Sequence, residues 1–224
     1  MYDAVVFDFD GVLTHPTPGP VLAEAAREAL QTVGVEPTPR AVSHARSSDL
    51  GRVRRLCAAH RLDPSTFMTV RDERTSAAQT RAMVDGRKPA YDDLDALAAL
   101  DARGVETGIV SNNQQATVDG FLDAADLGVD VPVAYGREPS LDGLRRKKPR
   151  PHYLRLALRD LGVEAAETLY VGDKTKDVLA ARAVGADAAF VRRSHREGYR
   201  VGVAPDHEVR TLHDLPGVAS RRSP

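Results

Sequence analysis

At 224 residues, with 31 basic and 32 acidic side chains and a net charge of −1, the chain can bury a substantial core and suits one main domain plus a modest insertion. That near-neutral balance argues against a dedicated nucleic-acid or membrane-surface binder, either of which needs a basic face. The single cysteine, Cys57, excludes an internal disulfide framework; it shares a helical face with Val53 and Leu56, as a core thiol in a reducing compartment would.

Met1-Tyr2-Asp3 carries an acid where a signal peptide carries bases, and no stretch approaches the length of a membrane span, so a cytoplasmic protein is expected. Ala4-Val5-Val6-Phe7 predicts a strand covered on both faces. From about Pro18 to Gly86 strand patterns give way to helical ones. Leu22, Ala25, Ala26, Ala29 and Val33 share one face, and Val53, Leu56 and Cys57 another. Pro16 to Gly19 punctuate the entry and Gly86 to Pro89 the exit, so a helical insertion on two flexible connections is expected after the first strand. Asp92 to Arg103 then predicts a helix closed by Gly104. Further strands are expected at Thr107 to Val110, Val131 to Ala134, Thr168 to Val171 and Ala188 to Val191. Helices marked by Val118, Leu122 and Ala125, and by Leu154, Leu158 and Leu161, lie between them. Such alternation implies an α/β protein with a parallel sheet and right-handed crossovers. Ser220 to Pro224 reads as a frayed tail.

Four clusters of reactive residues each follow a predicted strand, at the carboxyl ends where open α/β sheets place their ligands. In Phe7-Asp8-Phe9-Asp10-Gly11-Val12, strand alternation sends Asp8 and Asp10 to one side and Phe9 to the other. Two close carboxylates need a cation or a shared proton, unless the segment is simply an Asp-Gly turn. Ser111-Asn112-Asn113 offers a hydroxyl and backbone N–H groups for a phosphate, or plain helix capping. Arg145-Arg146-Lys147-Lys148 reads as a solvated cation run, yet Pro149 and Pro151 stiffen the backbone beside Lys148, as suits an ammonium presented to a phosphoryl group. Gly172-Asp173, with Asp177 four residues on, suits a hard cation such as magnesium, or helix capping by acids.

In this order and setting the clusters resemble the four motifs of the haloacid dehalogenase superfamily, over nearly the whole chain. Asp8-Phe9-Asp10-Gly11-Val12 matches the first motif, Ser111-Asn112 the second, Lys148 (better than Lys147) the third, and Gly172-Asp173 through Asp177 the fourth. The resemblance implies a Rossmann-like parallel-sheet core of residues 1–17 and 87–224, with strand order 5-4-1-2-3, and a small all-helical cap of the C1 type at residues 18–86. It also implies a magnesium-dependent phosphatase acting on a small phosphorylated metabolite, in the manner of phosphoglycolate phosphatases. Asp8 would be the nucleophile and form an aspartyl-phosphate; Asp10 would be the general acid and then base. Mg2+ would bind Asp8, the Asp10 carbonyl and Asp173, with Asp177 in the outer shell. Ser111, the Asn112 backbone and Lys148 would hold the phosphate oxygens. Two positions depart from the common pattern: Lys174 stands where a small hydroxyl residue is frequent, and His15, expected at the hinge, where many relatives carry an acid.

Within the resemblance, the presence of Asp10 disfavours a dehalogenase. The absence of any lysine between Pro18 and Gly86 disfavours a phosphonate hydrolase, which needs a Schiff-base lysine from its cap. A sugar-phosphate mutase would share all four motifs. A non-catalytic phosphometabolite-binding module is the reading from another class, and the retention of both Asp8 and Asp10 speaks against it.

Overall fold

The computed structural model describes residues 1–220, so Arg221 to Pro224 of the expected tail lie outside the described residues. In chain order, β1 (Ala4–Phe7) is followed by four helices, α1 (Gly19–Thr32), α2 (Pro39–Ala45), α3 (Leu50–His60) and α4 (Pro64–Val84). Next come α5 (Ala96–Asp101), β2 (Glu106–Gln114), α6 (Gln115–Leu122), β3 (Val133–Arg137), α7 (Leu141–Arg146) and α8 (His152–Leu161). The chain closes with β4 (Thr168–Gly172), α9 (Thr175–Val184), β5 (Asp187–Val191), β6 (His207–Val209) and α10 (Leu215–Ala219). No helix among the described residues is long and apolar enough to cross a membrane.

The sheet is parallel throughout, in the order β3-β2-β1-β4-β5-β6. This contains the expected order 5-4-1-2-3, with one strand added at the edge. Alternation along β1 splits the core. Val5 and Phe7 join Phe9, Ile109, Val171, Leu97 and Phe121 on one face, while Val6 joins Val110, Tyr170, Leu154 and Val178 on the other. Burial on both faces explains why these strands are continuous apolar runs. In the centre Phe7 lies opposite Ile109 and Val171, so the ends of β1, β2 and β4 converge.

The helices between Gly19 and Val84 have a core of their own, which includes Leu30, Val53, Leu56, Cys57, Phe67 and Met68. Cys57 is accordingly a buried free thiol. Val21 and Ala25 of α1 pack on Ala78 and Ala82 of α4, small residues that let the two helices approach. Helix starts are fixed by side chains: Asp49 accepts from Arg52 N at 2.8 Å and Asp63 from Thr66 N at 2.8 Å, with Pro64 opening α4. The two connections to the sheet run side by side, tied by His15 N to the Pro89 carbonyl at 2.9 Å and Tyr91 N to that of Leu13 at 3.0 Å. His15 stacks on Tyr91 with ring centroids 4.1 Å apart.

Three expectations are corrected. The helix expected from Asp92 to Arg103 is regular only over Ala96–Asp101, because the Asp93 carboxylate is drawn into the core, accepting from Arg193 at 2.6 and 2.9 Å and from Leu212 N at 2.8 Å. The strand expected to stop at Val110 continues to Gln114 through an irregularity against β3. The sixth strand has three residues, His207-Glu208-Val209, too few and too polar to read as a strand.

Candidate active site

Asp8 is the residue after β1, and its backbone N–H donates to the Val171 carbonyl at 2.8 Å, which fixes it at the centre of the sheet's carboxyl edge. Its side chain is buried, with Oδ1 2.9 Å from Lys148 Nζ. Lys148, itself 2% exposed, lies equally 2.9 Å from Asp177 Oδ1, donates to the Val110 carbonyl at 3.0 Å and contacts the Tyr170 hydroxyl. The motif lysine thus bridges two acids. Burial pushes Asp8 upward, but Lys148, Lys176 and Lys174 outweigh it and hold the carboxyl below the usual carboxylate value. Asp177 is raised by burial and by Asp8's charge, against the pull of Lys148. Asp8 therefore stays ionised. Asn112 sets the height of Lys148: its amide donates to the Lys148 carbonyl at 3.0 Å and accepts from Lys148 N at 2.7 Å.

Asp8, Asp173 and Asp177 each bring one carboxylate oxygen within 4.8 Å of the others. Asp173 Oδ1 and Asp177 Oδ1 are buried, and each faces an ammonium at 2.9 Å, Lys174 and Lys148 respectively. Asp177 Oδ2 meanwhile closes the start of α9 by accepting from Lys174 N at 3.0 Å, so this acid caps the helix while standing in the acidic cluster. Three buried carboxylates that converge with hard oxygen donors fit a magnesium ion, and no His or Cys ligand is among them to favour zinc. The glycines beside the acids make this proximity available. A Cβ on Gly11 (φ +90°) would sit 2.3 Å from Asp173 Oδ2, and one on Gly172 2.2 Å from Asp177 Cβ. Asp173 is also crowded by cations: Lys174 Nζ at 2.9 Å from Oδ1, with His195 Nε2 at 2.9 Å and Arg196 Nε at 2.8 Å from Oδ2. Burial opposes its ionisation, but the bond from His195 and the charges of Lys174 and Arg196 hold it well below the usual range. Lys174 Nζ lies 3.4 Å from the Asp10 carbonyl as well, so one ammonium touches two of the expected magnesium ligands.

Asp10 is engaged by residues that the four motifs do not contain. Lys88, wholly buried in the exit connection, contacts its Oδ1 at 2.6 Å, and Asn113 Nδ2 donates to its Oδ2 at 2.8 Å. Both donors also meet Gln79 Oε1, at 2.9 and 2.8 Å, and Thr17 of the entry connection donates to the same oxygen at 2.6 Å. Gln79 belongs to α4, so one amide gathers both connections, the sheet and the insertion around Asp10. Lys88-Pro89 repeats the Lys-Pro pattern of Lys148-Pro149 and is the sequence signal that marks it. Gln79 carries no such signal.

Ser111 lies at the cavity floor and accepts from Asn113 N at 3.0 Å. The cavity, about 370 Å³, is lined by Asp8, Asp10, Ser111 and Asn112 together with residues of the insertion. His15 lines none of it; it reaches the acidic cluster only indirectly, since its stacking partner Tyr91 bonds His195 Nδ1 at 3.1 Å.

The model of the haloacid dehalogenase-like hydrolase family matches residues 2–185. Phosphoglycolate phosphatase of Rhodospirillum rubrum is 32% identical over 192 residues, covering 83% of this chain and 77% of that protein. A shorter match of 30% over 122 residues relates 54% of this chain to 47% of the Escherichia coli K12 phosphoglycolate phosphatase. Among solved structures, CbbY from Rhodobacter sphaeroides in complex with phosphate superposes with a TM-score of 0.70 at 19% identity, over 96% of both chains. L-2-haloacid dehalogenase from Xanthobacter autotrophicus does so at 0.60 and 22%, over 100% of both; at these identities the likeness speaks for the fold alone. A strand-end aspartate kept ionised by a buried lysine, set in this sheet and matched along most of its length, makes the chain a haloacid dehalogenase-like hydrolase of the phosphatase branch.

Proposed function

We propose that the protein hydrolyses a small phosphate monoester with magnesium, through an aspartyl-phosphate on Asp8, with phosphoglycolate the first substrate to test because the relatives carry that name. The observation that carries the proposal is the contrast between the two motif-one acids. Asp8 is buried and paired with Lys148, while Asp10 stands at the cavity with 27% of its side chain exposed, held by Lys88 and Asn113. In the first step an Asp8 oxygen bonds to phosphorus as the ester P–O bond breaks, and Asp10 gives its proton to the departing oxygen. In the second, Asp10 takes a proton from water as that water's oxygen bonds to phosphorus, which releases phosphate and Asp8. Ser111, the Asn112 backbone and Lys148 offset charge on the phosphoryl oxygens. Asp8, the Asp10 carbonyl and Asp173 would hold Mg2+, with Asp177 in its outer shell; the ion would supply positive charge against the phosphoryl group. Residues 18–86 act as a cap over residues 1–17 and 87–224. The lone buried thiol supports a cytoplasmic setting. Phosphate release from a panel of phosphorylated metabolites, with and without magnesium, tests the whole scheme; no release from any ester would reject it.

Lys174 has a measurable consequence. Its ammonium repels a cation arriving at Asp173 and Asp10, so Lys174→Ser should bind Mg2+ about tenfold more tightly, the effect of roughly 1.4 kcal/mol of relieved repulsion. Calorimetric titration reads this directly. Equal or weaker binding by the variant would show that Lys174 does not compete with the ion.

Gln79 has another. Gln79→Ala removes the acceptor shared by Thr17, Lys88 and Asn113, and Asp10 loses its alignment with the leaving oxygen. Turnover of an alkyl phosphate should fall about 10–100-fold, as for a catalytic group misplaced by an ångström, and that of p-nitrophenyl phosphate much less. Equal losses on the two esters in the single-turnover phosphorylation step would mean that Gln79 does not act through Asp10.

A further inference from the structure

The cavity carries more positive charge than its catalytic acids balance. Arg46 at the end of α2, Arg71 on α4, Arg137 at the end of β3 and Lys176 on α9 line it together with Lys174, whereas its acidic lining is Asp8 and Asp10 alone. Arg71 and Arg137 are 4% and 5% exposed and share a single carboxylate, Asp72, itself 2% exposed. Arg137 donates to both Asp72 oxygens at 2.6 and 2.7 Å; Arg71 donates to Oδ1 at 3.0 and 2.8 Å, and Gln114 adds a third donor there at 3.2 Å. Beyond Asp72, the side-chain partners among the described residues are carbonyls: that of Ser47 for Arg71 at 3.3 Å and that of Glu138 for Arg137 at 3.1 Å. Two guanidinium groups on one carboxylate leave a unit of positive charge in a wall where an unpaired charge is costly. The neighbourhood registers it. Burial and the repulsion of Arg137 lower Arg71 against the pull of Asp72, and burial with Lys176 and Arg137 brings Lys147, bonded to the Ser48 carbonyl, down to about 8.

We propose that the substrate carries a second anionic group, a carboxylate or a second phosphate, which binds at Arg71 and Arg137 with Arg46 at the rim. The proposal rests on the phosphatase reading and narrows it. None of the cavity-lining residues is aromatic, so a nucleoside monophosphate would find no stacking surface for its base, and Ser47, Ser48 and Thr75 suit a short polar linker. Arg71 and Asp72 belong to the insertion and Arg137 to the sheet, so the anion completes an ion cluster that already ties the two together.

The test uses three esters on one propyl chain whose far end is a hydroxyl, a carboxylate or a second phosphate, with p-nitrophenyl phosphate as a reaction control. For the intact protein, kcat/KM for one charged-ended ester should exceed that for hydroxypropyl phosphate by about 10–100-fold, the range of a hydrogen bond to a charged group. The favoured ester tells carboxylate from phosphate. That ratio should fall towards unity in Arg71→Gln and drop in Arg46→Gln, the latter an exposed position where folding is not at stake. A ratio near unity in the intact protein, or one unchanged in both variants, overturns the subsite while leaving the phosphatase reading intact. No phosphate release from any ester, the control included, overturns both.

Discussion

Asp8→Asn is expected to bring phosphate release down by at least roughly 10⁴-fold, the loss seen when the nucleophile of a covalent mechanism is removed. The substitution takes away the attacking anion and keeps the shape of the side chain. It also leaves Lys148 paired with Asp177 at 2.9 Å and bonded to the Val110 carbonyl at 3.0 Å, so the buried ammonium is not stranded. The fold should therefore survive, and the melting temperature measured beside the kinetics should stay within a few degrees of the parent. Mixing the parent with substrate and quenching in acid should trap phosphate on the protein; the variant should trap none. Phosphoenzyme on Asp8→Asn would assign the nucleophile to another residue.

The acids of the candidate site were legible because strand ends and strand alternation leave strong marks. Phe9 packs with Val5 and Phe7 on one face of the sheet, while Asp8 and Asp10 turn to the cavity, as period-two alternation requires. Asp173 and Asp177 follow β4 by the same logic. What stayed hidden is the polar machinery of the helical insertion. The buried face of α4 mixes Arg71, Asp72, Ser76 and Gln79 with Phe67, Met68, Ala78 and Ala82, so its polar half reads as a solvent face and periodicity is blurred. His195 and Arg196 were hidden for a similar reason: Arg192-Arg193-Ser194-His195-Arg196 reads as a solvated basic run, yet two of its members rest on Asp173. Polar burial is decided by partners distant in sequence, and local composition does not record them.

Asp10→Asn separates chemistry from charge balance at the second acid. Loss of the proton donor should slow turnover of alkyl phosphates by roughly 10²–10⁴-fold, and p-nitrophenyl phosphate less, because its leaving group departs with little protonation. Phosphate should also persist longer on Asp8, since the base that activates water is gone. Stability should fall as well. Lys88 is wholly buried, Asp10 is its only acidic partner among the described residues, and what remains in the variant is Gln79 Oε1 at 2.9 Å and the Phe9 ring 4.5 Å away. Stranding a buried charge costs about 3–5 kcal/mol when both partners are enclosed; because the Asp10 side chain keeps 27% exposure, the lower end of that range is expected. Adding Lys88→Met removes the stranded ammonium in a side chain of similar length, so the double variant should recover most of the lost stability in urea unfolding while its activity stays low. If the double variant is no more stable than Asp10→Asn, the Lys88–Asp10 pair does not carry the charge balance of the site. If Asp10→Asn slows the single-turnover phosphorylation of Asp8 by both esters equally, Asp10 is not the group that protonates the leaving oxygen.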